Sequence, residues 1–438
     1  MTSAAMETGP DSLSRYGGRF AIYLLALIYM FNMLDRQIIM ILVEPMKRDL
    51  GLSDTQIGAV SGLAFALLYS TAGLPLARLG DRVNRATMIT ASLAIWSGFT
   101  VLCGSARNFS EMLLARAGVG IGEAGCTPAA HSLIVDYFPR EKRASALAIY
   151  QLGVPLGTLA GLAIGGFLLS SLGWRMVFVL AGIPGIILAI ALPFLLRDPH
   201  RARRASAPQP PLPIRTVLKE LGQKRAFRNI ALGTALAAFS YYGITAFLGS
   251  FYMRTHDEAL TTIAEDMGLA PAAFLGIALG VMAGAFACIG TIAGGWLADR
   301  CARQNVRGYT HVSCFALLAE VPLIAMAVLT DNITLSFVLL GAGFFVHSLT
   351  YGSTFASVQS LASPSMRATA SAIHLFITTA IGLGLGPLCV GLVSDSLVGS
   401  MGSSMGLQMA MALATVPTVL AALLFWRGGR TIVDEEVR

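Results

Sequence analysis

Apolar residues along this chain come in long blocks separated by short polar segments. A helix needs about 20 apolar residues to cross the hydrocarbon layer of a bilayer. Twelve blocks of that kind are predicted, at roughly 20–44, 56–78, 87–105, 110–137, 144–171, 175–196, 227–252, 272–298, 309–329, 333–360, 368–394 and 403–426. The fourth, fifth and tenth exceed one crossing, so tilt or protrusion is expected there. Residues 1–19 are polar and include Gly9 and Pro10. They lack a short apolar core followed by a small-residue cleavage site, so no removable signal is expected and the first block is read as a retained helix. The expected class is an all-α membrane protein with twelve transmembrane helices.

The one long polar interruption, RDPHRARRASAPQPPLPIRTVLKELGQKRA at 197–226, separates six blocks from six. Its Pro- and Arg-rich first half reads as a flexible tether. From Ile214 onward a short basic amphipathic helix on the inner membrane surface is expected. A plain tether and a lipid-sensing segment both fit. The expected organisation is a tail at 1–19, a six-helix bundle at 20–196, a linker at 197–226, a second bundle at 227–427 and a tail at 428–438.

The halves repeat. ARLGDRVNRA (77–86) follows the second block, and GGWLADRCAR (294–303) follows the eighth. PREKRASA (139–146) precedes the fifth block, and PSMRATA (364–370) precedes the eleventh. Two six-helix bundles related by a pseudo-two-fold axis are the sequence mark of a rocking transporter with its site between the halves at mid-membrane.

Composition agrees: 55% of residues are hydrophobic and only 13% are charged. The net charge of +7 is uneven in a telling way. With the N-terminus inside, most of the Lys and Arg residues fall in inner segments. By the positive-inside rule, both termini are expected in the cytoplasm of a multi-pass inner-membrane protein. The basic balance therefore reflects topology, and no nucleic-acid partner is implied. The cysteines at 103, 126, 288, 301, 314 and 389 lie in or beside apolar blocks without metal-ligand spacing. Neither a disulfide nor a metal site is expected. No nucleophile–base set or phosphate loop is present either, which argues against an enzyme and against a cofactor.

The Asp-Arg loops after the second and eighth blocks resemble the signature loop of the major facilitator superfamily. Within that superfamily the chain is most similar to the spinster group, through NMLDR (32–36), GDRVNR (80–85), RAGVGIGEA (116–124), SLIVDYF (132–138) and YQLGVPLG (150–157). Asn84 stands where the family usually has Gly. The resemblance implies alternating access and transport of sphingoid or lysophospholipid amphiphiles. It also implies a cytoplasmic gate in which Asp81 and Arg85, and Asp299 and Arg303, latch helices in the outward-facing state. Asp136 and Glu141 are expected in the loop network around Arg143, and Arg367 occupies the matching place in the second half.

Charged residues inside the blocks are the candidate chemistry, because charges at membrane depth are costly. Asp35 and Arg36 are adjacent in the first block, about 100° apart around a helix. In the fourth, Arg116, Gly120 and Glu123 share one face. Helix rise places Asp35 about 13 Å and Arg116 about 9 Å below the same surface. A contact between them is expected, either as a static ion pair or as a proton switch that releases Arg116 for an anionic headgroup. Glu123 is placed deeper, as a proton carrier and substrate contact or as a cap before Pro128. For Arg36 the partner is Glu123, a carbonyl or the cavity.

Glu320, in the ninth block, is expected to pack beside Pro322 or to sit protonated. His131, His347 and His374 read as packing or as proton carriers. Gly153, Gly157, Gly161 and Gly165, and again Gly276, Gly280 and Gly284, form small-residue stripes for close helix contact. With Pro155 added, the first stripe resembles the superfamily's antiporter motif. The seventh and tenth blocks offer Tyr241, Tyr242, Phe247, Phe251, Phe344, Phe345, His347 and Tyr351, facing either a cavity or lipid.

A charged wall opposite an aromatic one suits a ligand with a polar head and a greasy tail. The expected function is a secondary active transporter, proton-coupled through Asp35 and Glu123. Its partners are a lipid-like substrate, protons and membrane lipids, and it works as a monomer. The alternatives are a proton-driven exporter of drugs or organic anions, and a non-transporting membrane scaffold or receptor.

Overall fold

The computed structural model describes residues 10–80, 83–139, 142–198, 214–303, 305–363 and 366–437. The described residues form helices and short connections. The first is α1 (Pro10–Leu50). Next, α2 (Asp54–Gly58) runs through a π-helical turn at Ala59–Leu63 into α3 (Ala64–Gly80). Then come α4 (Arg85–Ser105), α5 (Phe109–Ala124), α6 (Cys126–Tyr137), α7 (Arg143–Gln151) and α8 (Gly153–Leu195). The second half begins with α9 (Ile214–Gln223), α10 (Arg225–Thr245), α11 (Leu248–Thr255) and the short α12 (Asp257–Asp266). Next, α13 (Pro271–Val281) passes through a π-helical turn at Met282–Phe286 into α14 (Ala287–Ala302). It continues with α15 (Arg307–Leu329), α16 (Ile333–Ser348), α17 (Thr350–Ser360) and α18 (Arg367–Thr378). A last π-helical turn at Thr379–Leu383 leads to α19 (Gly384–Leu413) and α20 (Val416–Glu435).

Eight helical stretches among the described residues are long and apolar enough to cross a membrane, or nine with the bent pair α10–α11. Two of the eight, Ser145–Leu195 and Thr369–Glu435, are too long for one crossing and turn back on themselves. The turns fall at Gly173 (φ 75°) and Gly402 (φ 79°), a backbone region that favours glycine. Gly406 returns against Ser394 and Leu397. The expected twelve count both limbs of each reversed stretch and add α5–α6, whose apolar run is interrupted by charge.

The halves repeat structurally. Each has a π-helical turn in its second crossing, a break in its fourth (α5–α6, α16–α17) and a glycine reversal before its last.

Side-chain contacts define two ends. Gly18 lies against Tyr137, and Arg85 bonds Asp198. Val437 donates to the Ser360 carbonyl. The described parts of both terminal helices therefore end on one side. The opposite end holds Asp49, Asp54, Arg175, Arg254 and Asp395.

Among the contacts that join the halves, two long seams run along the bundle. Across the α8–α13 seam, a methyl group on Gly166 would meet the Ala272 carbonyl oxygen at 2.2 Å, and one on Gly276 would meet that of Leu162 at 2.2 Å. Further along, the clearance at Gly280 and Gly284 is 3.1 Å. The second seam joins α2 and its π-turn to α19. There a methyl group on Gly391 would meet the Asp54 carbonyl oxygen at 2.2 Å, and one on Gly384 would meet the Ala66 side chain at 3.5 Å. Both seams part toward the end that holds the termini.

The α9 helix forms as expected but does not lie free on a surface. Val217 and Leu221 are fully buried in a cluster with Phe227, Met366 and Ile432. The reason is its strongly one-sided pattern, which finds an apolar face on the second bundle. Residues 428–435, expected as tail, continue α20, and Ile432 is buried.

Candidate functional site

The first helix sends its two charges in different directions. The buried carboxylate of Asp35 (3% exposed) accepts from the Thr100 hydroxyl on α4. Arg36 faces the space between the halves and donates from Nε to Glu123 Oε2 at 2.5 Å. Its guanidinium also covers the rings of Phe65 and Tyr69, at 4.8 and 4.5 Å. Each such contact contributes about 0.5–2 kcal/mol according to desolvation.

The expected contact between Asp35 and Arg116 is not made. Arg116 is near enough to attract Asp35 but forms no ion pair with it. The rotation of α1 explains the difference: Asp35 points at α4, where a hydroxyl takes its carboxylate, while its neighbour points at the cavity.

Arg116 is therefore left open. It is 2% exposed, and its Nε and Nη1 have no hydrogen-bond partner. Among the described residues, the ring that its guanidinium covers is Phe65, at 5.6 Å. Phe65 thus lies beneath two cations at once. Glu123 is completely buried, with Oε1 unpartnered. The close fit around α5 depends on its glycines: a methyl group on Gly120 would meet the Phe65 carbonyl oxygen at 2.6 Å.

Arg36 and Arg116 border a cavity of about 100 Å³, lined also by Gln37, Phe65, Tyr242 and Pro387. A second cavity, of about 150 Å³, lies on the other side of Tyr242, with Tyr241, His347, Tyr351 and His374 in its wall. The aromatic wall is only partly as expected. Tyr241 stacks on His347 with centroids 4.4 Å apart, and Phe344 and Tyr351 meet this pair edge-on. Phe247 and Phe251 are instead buried in the core, where Phe251 packs on Tyr252 and His256. They lie beyond the bend after α10, which turns them away from the cavity. Glu320, expected to pack beside Pro322 or to sit protonated, bonds His347.

At the end that holds the termini, every described contact of the expected gate stays within its own half. Arg85 bonds Asp136, Asp198 and the Ser132 hydroxyl. Arg143 donates to the carbonyls of Val135 and Phe138. Asp299 lies close enough to Tyr309 to interact with it electrostatically. Arg303 and Arg367 make no side-chain hydrogen bond among the described residues. Asp81 and Glu141 lie outside those residues.

The clasp between halves is at the opposite end, and no motif in the chain marks it. Arg254 of α11 bonds both Glu44 and Asp54. Lys47 also bonds Asp54, at 2.6 Å. Asp395 of α19 accepts from the backbone of Asp54 and Thr55 and so caps α2. These residues sit at block ends, where a linear reading counts them as loop charges.

A six-plus-six helical repeat around a charged central cavity has a match in known proteins. The family model of the Major Facilitator Superfamily matches residues 25–387. The chain belongs to this superfamily. The crystal structure of a bacterial homolog to the human lysosomal transporter Spinster, in an inward-facing and unoccupied conformation, superposes with a TM-score of 0.84. It is 30% identical and covers 97% of this chain and 99% of its own. Within the superfamily, this transporter is of the spinster type. An MFS-type efflux pump of Mycolicibacterium smegmatis is 31% identical, over 99% of this chain and 98% of the pump. A sphingosine-1-phosphate transporter of Danio rerio is 22% identical, over 92% of this chain and 82% of its own length. A transporter of this family is not an enzyme.

Proposed function

We propose that this transporter moves an anionic or zwitterionic amphiphile by proton-coupled alternating access. The observation that carries the reading is Arg116, a fully buried guanidinium at a cavity wall with two nitrogens unpartnered. A planar cation of this kind grips phosphate or carboxylate with two bonds. Arg36, ringed by Phe65 and Tyr69, forms the second part of the headgroup site. Tyr241, Tyr242, Phe344, His347 and Tyr351 receive the apolar part. The chemistry of the Danio rerio relative's substrate, a phosphate on a long apolar chain, is of the same class.

Asp35 and Glu123 carry the protons. Protonation of Glu123 frees Arg36, and protonation of Asp35 changes the charge that Arg116 sees. The end with the termini is the cytoplasmic one, in the inner membrane, and the protein acts as a monomer. Arg85, Asp136, Arg143, Asp299, Arg303 and Arg367, with Asp81, serve the cytoplasmic gate when the seams close there.

Uptake of a fluorescent lysophosphatidylcholine into proteoliposomes with an imposed pH gradient tests this. Uptake that follows the gradient and is abolished by Arg116→Ala supports the reading. Uptake indifferent to both ends it. The Mycolicibacterium relative favours a second reading, export of drugs or organic anions. Competition by headgroup-free cationic drugs at the same strength as by lysolipids would decide for it.

A further inference from the structure

Glu320 on α15 and His347 on α16 are both buried in the second half. Nδ1 of His347 lies 3.0 and 2.9 Å from the two carboxylate oxygens. A carboxylate on one ring nitrogen fixes the orientation of the imidazole and leaves the other nitrogen as its exchangeable site. Nε2 has no hydrogen-bond partner among the described residues. His347 borders the second cavity, and a smaller cavity on its other side reaches Glu320.

The surroundings hold the ring in place without neutralising the pair. Tyr241 stacks on it at 4.4 Å, and Tyr351 meets it edge-on at 5.6 Å. The ionisable groups facing the pair are Tyr241 and Tyr242 on α10, Tyr351 on α17 and His374 on α18. None is a lysine or arginine. His374 is itself buried with Nδ1 unpartnered, in the same cavity wall. A neutral imidazole beside a carboxylate carries one net negative charge. One proton taken up at Nε2 makes the pair neutral overall.

We propose that Glu320 and His347 form a second proton-carrying site, in the C-terminal half, with Nε2 of His347 as the atom that exchanges its proton with the cavity. This rests on the coupled-transport reading above. It adds a proton that does not pass through Asp35 or Glu123. One proton site then stands on each side of the Tyr241–Tyr242 layer, and both face the space that alternating access exposes.

The limiting concentration ratio of a coupled substrate measures the number of protons. For a pH gradient of about one unit, each coupled proton is worth about tenfold in that ratio. The full chain in proteoliposomes is given fluorescent lysophosphatidylcholine, with the membrane potential clamped at zero. Glu320→Gln and His347→Gln, which keep hydrogen-bonding groups in place, are each expected to lower the limiting ratio about tenfold. For Glu320→Gln, which lies behind the ring and outside the substrate wall, probe counterflow without a pH gradient is expected to stay near the wild-type rate. An unchanged ratio overturns the proposal, and so does a fall in counterflow as large as the fall in ratio.

Proton uptake without any probe separates this idea from the transport reading. Between about pH 8 and pH 5, the purified double variant is expected to bind one proton fewer than wild type. Equal uptake overturns the proposal even where transport succeeds. One proton fewer supports it even where the lysolipid is not moved.

Discussion

Arg254 bonds Glu44 through Nε at 2.7 Å and Asp54 through both terminal nitrogens, at 3.0 and 2.9 Å. One guanidinium of the second half thus holds two carboxylates of the first. Ser394 and Asp395 add hydrogen bonds to the same corner. All of these must break if that end is to open, while the seams at the other end are already parting. The clasp is therefore the counterpart of the gate expected around Asp81 and Arg85, set at the opposite surface.

Breaking a buried pair by removing one partner costs about 3–5 kcal/mol. Arg254→Gln is expected to shift the population away from the form closed at this end. Spin labels at Ser105→Cys and Ser400→Cys, both exposed at that end, read the separation of the halves. A longer or broader distance distribution is expected, and an unchanged narrow one would refute the clasp.

The α8–α13 seam makes a second test of the same state. Gly276→Val places atoms where the Leu162 carbonyl oxygen now stands, at 2.2 Å from the first methyl position. Overpacking of this kind costs about 1–3 kcal/mol. The same spin-label pair is expected to move apart. Gly284→Ala, with 3.1 Å of clearance, is the milder control and is expected to leave the distance almost unchanged.

Arg116 offers a prediction about ligand affinity. A hydrogen bond to a charged group contributes about 1.5–3 kcal/mol, so Arg116→Ala is expected to weaken binding of a lysophospholipid probe by roughly tenfold to a hundredfold. Arg116→Lys is expected to recover little of it, because an ammonium lacks the planar fork. Equilibrium binding to the detergent-purified protein measures this. Equal affinity in all three proteins would remove Arg116 from the headgroup site.

The end of the chain makes a stability prediction. The Glu435 carboxylate accepts from the backbone nitrogens of Arg225 and Ala226, both at 2.9 Å, and so caps the start of α10. Loss of a cap costs about 1 kcal/mol. Glu435→Ala is expected to lower the thermal unfolding midpoint in detergent by a few degrees, without changing probe affinity.

Much of the site was legible one helix at a time. The charges at 35, 36, 116 and 123 stand out because membrane depth makes them costly. Their separation by about 100° on α1 already said that Asp35 and Arg36 serve different neighbours. Which neighbours was not legible. Thr100 is an ordinary polar residue until α4 packs on α1, and nothing in a linear reading ranks it above Arg116 as a partner for Asp35. Glu320 and His347 were each visible as isolated polar residues, but their pairing depends on how α15 lies along α16.

The sequence alone determined the fold class, the division into two related halves and the burial of a small set of charges. Each follows from a local cost: apolar run length matches bilayer thickness, and an internal repeat can be read directly from the chain. Tertiary structure decided the pairings. Ion pairs, stacked rings and helix seams depend on the rotation and separation of helices that are distant in sequence. It also decided which end is closed. That choice rests on Arg254 reaching Glu44 and Asp54, and on a few tenths of a nanometre between helix backbones at Gly166, Gly276 and Gly391.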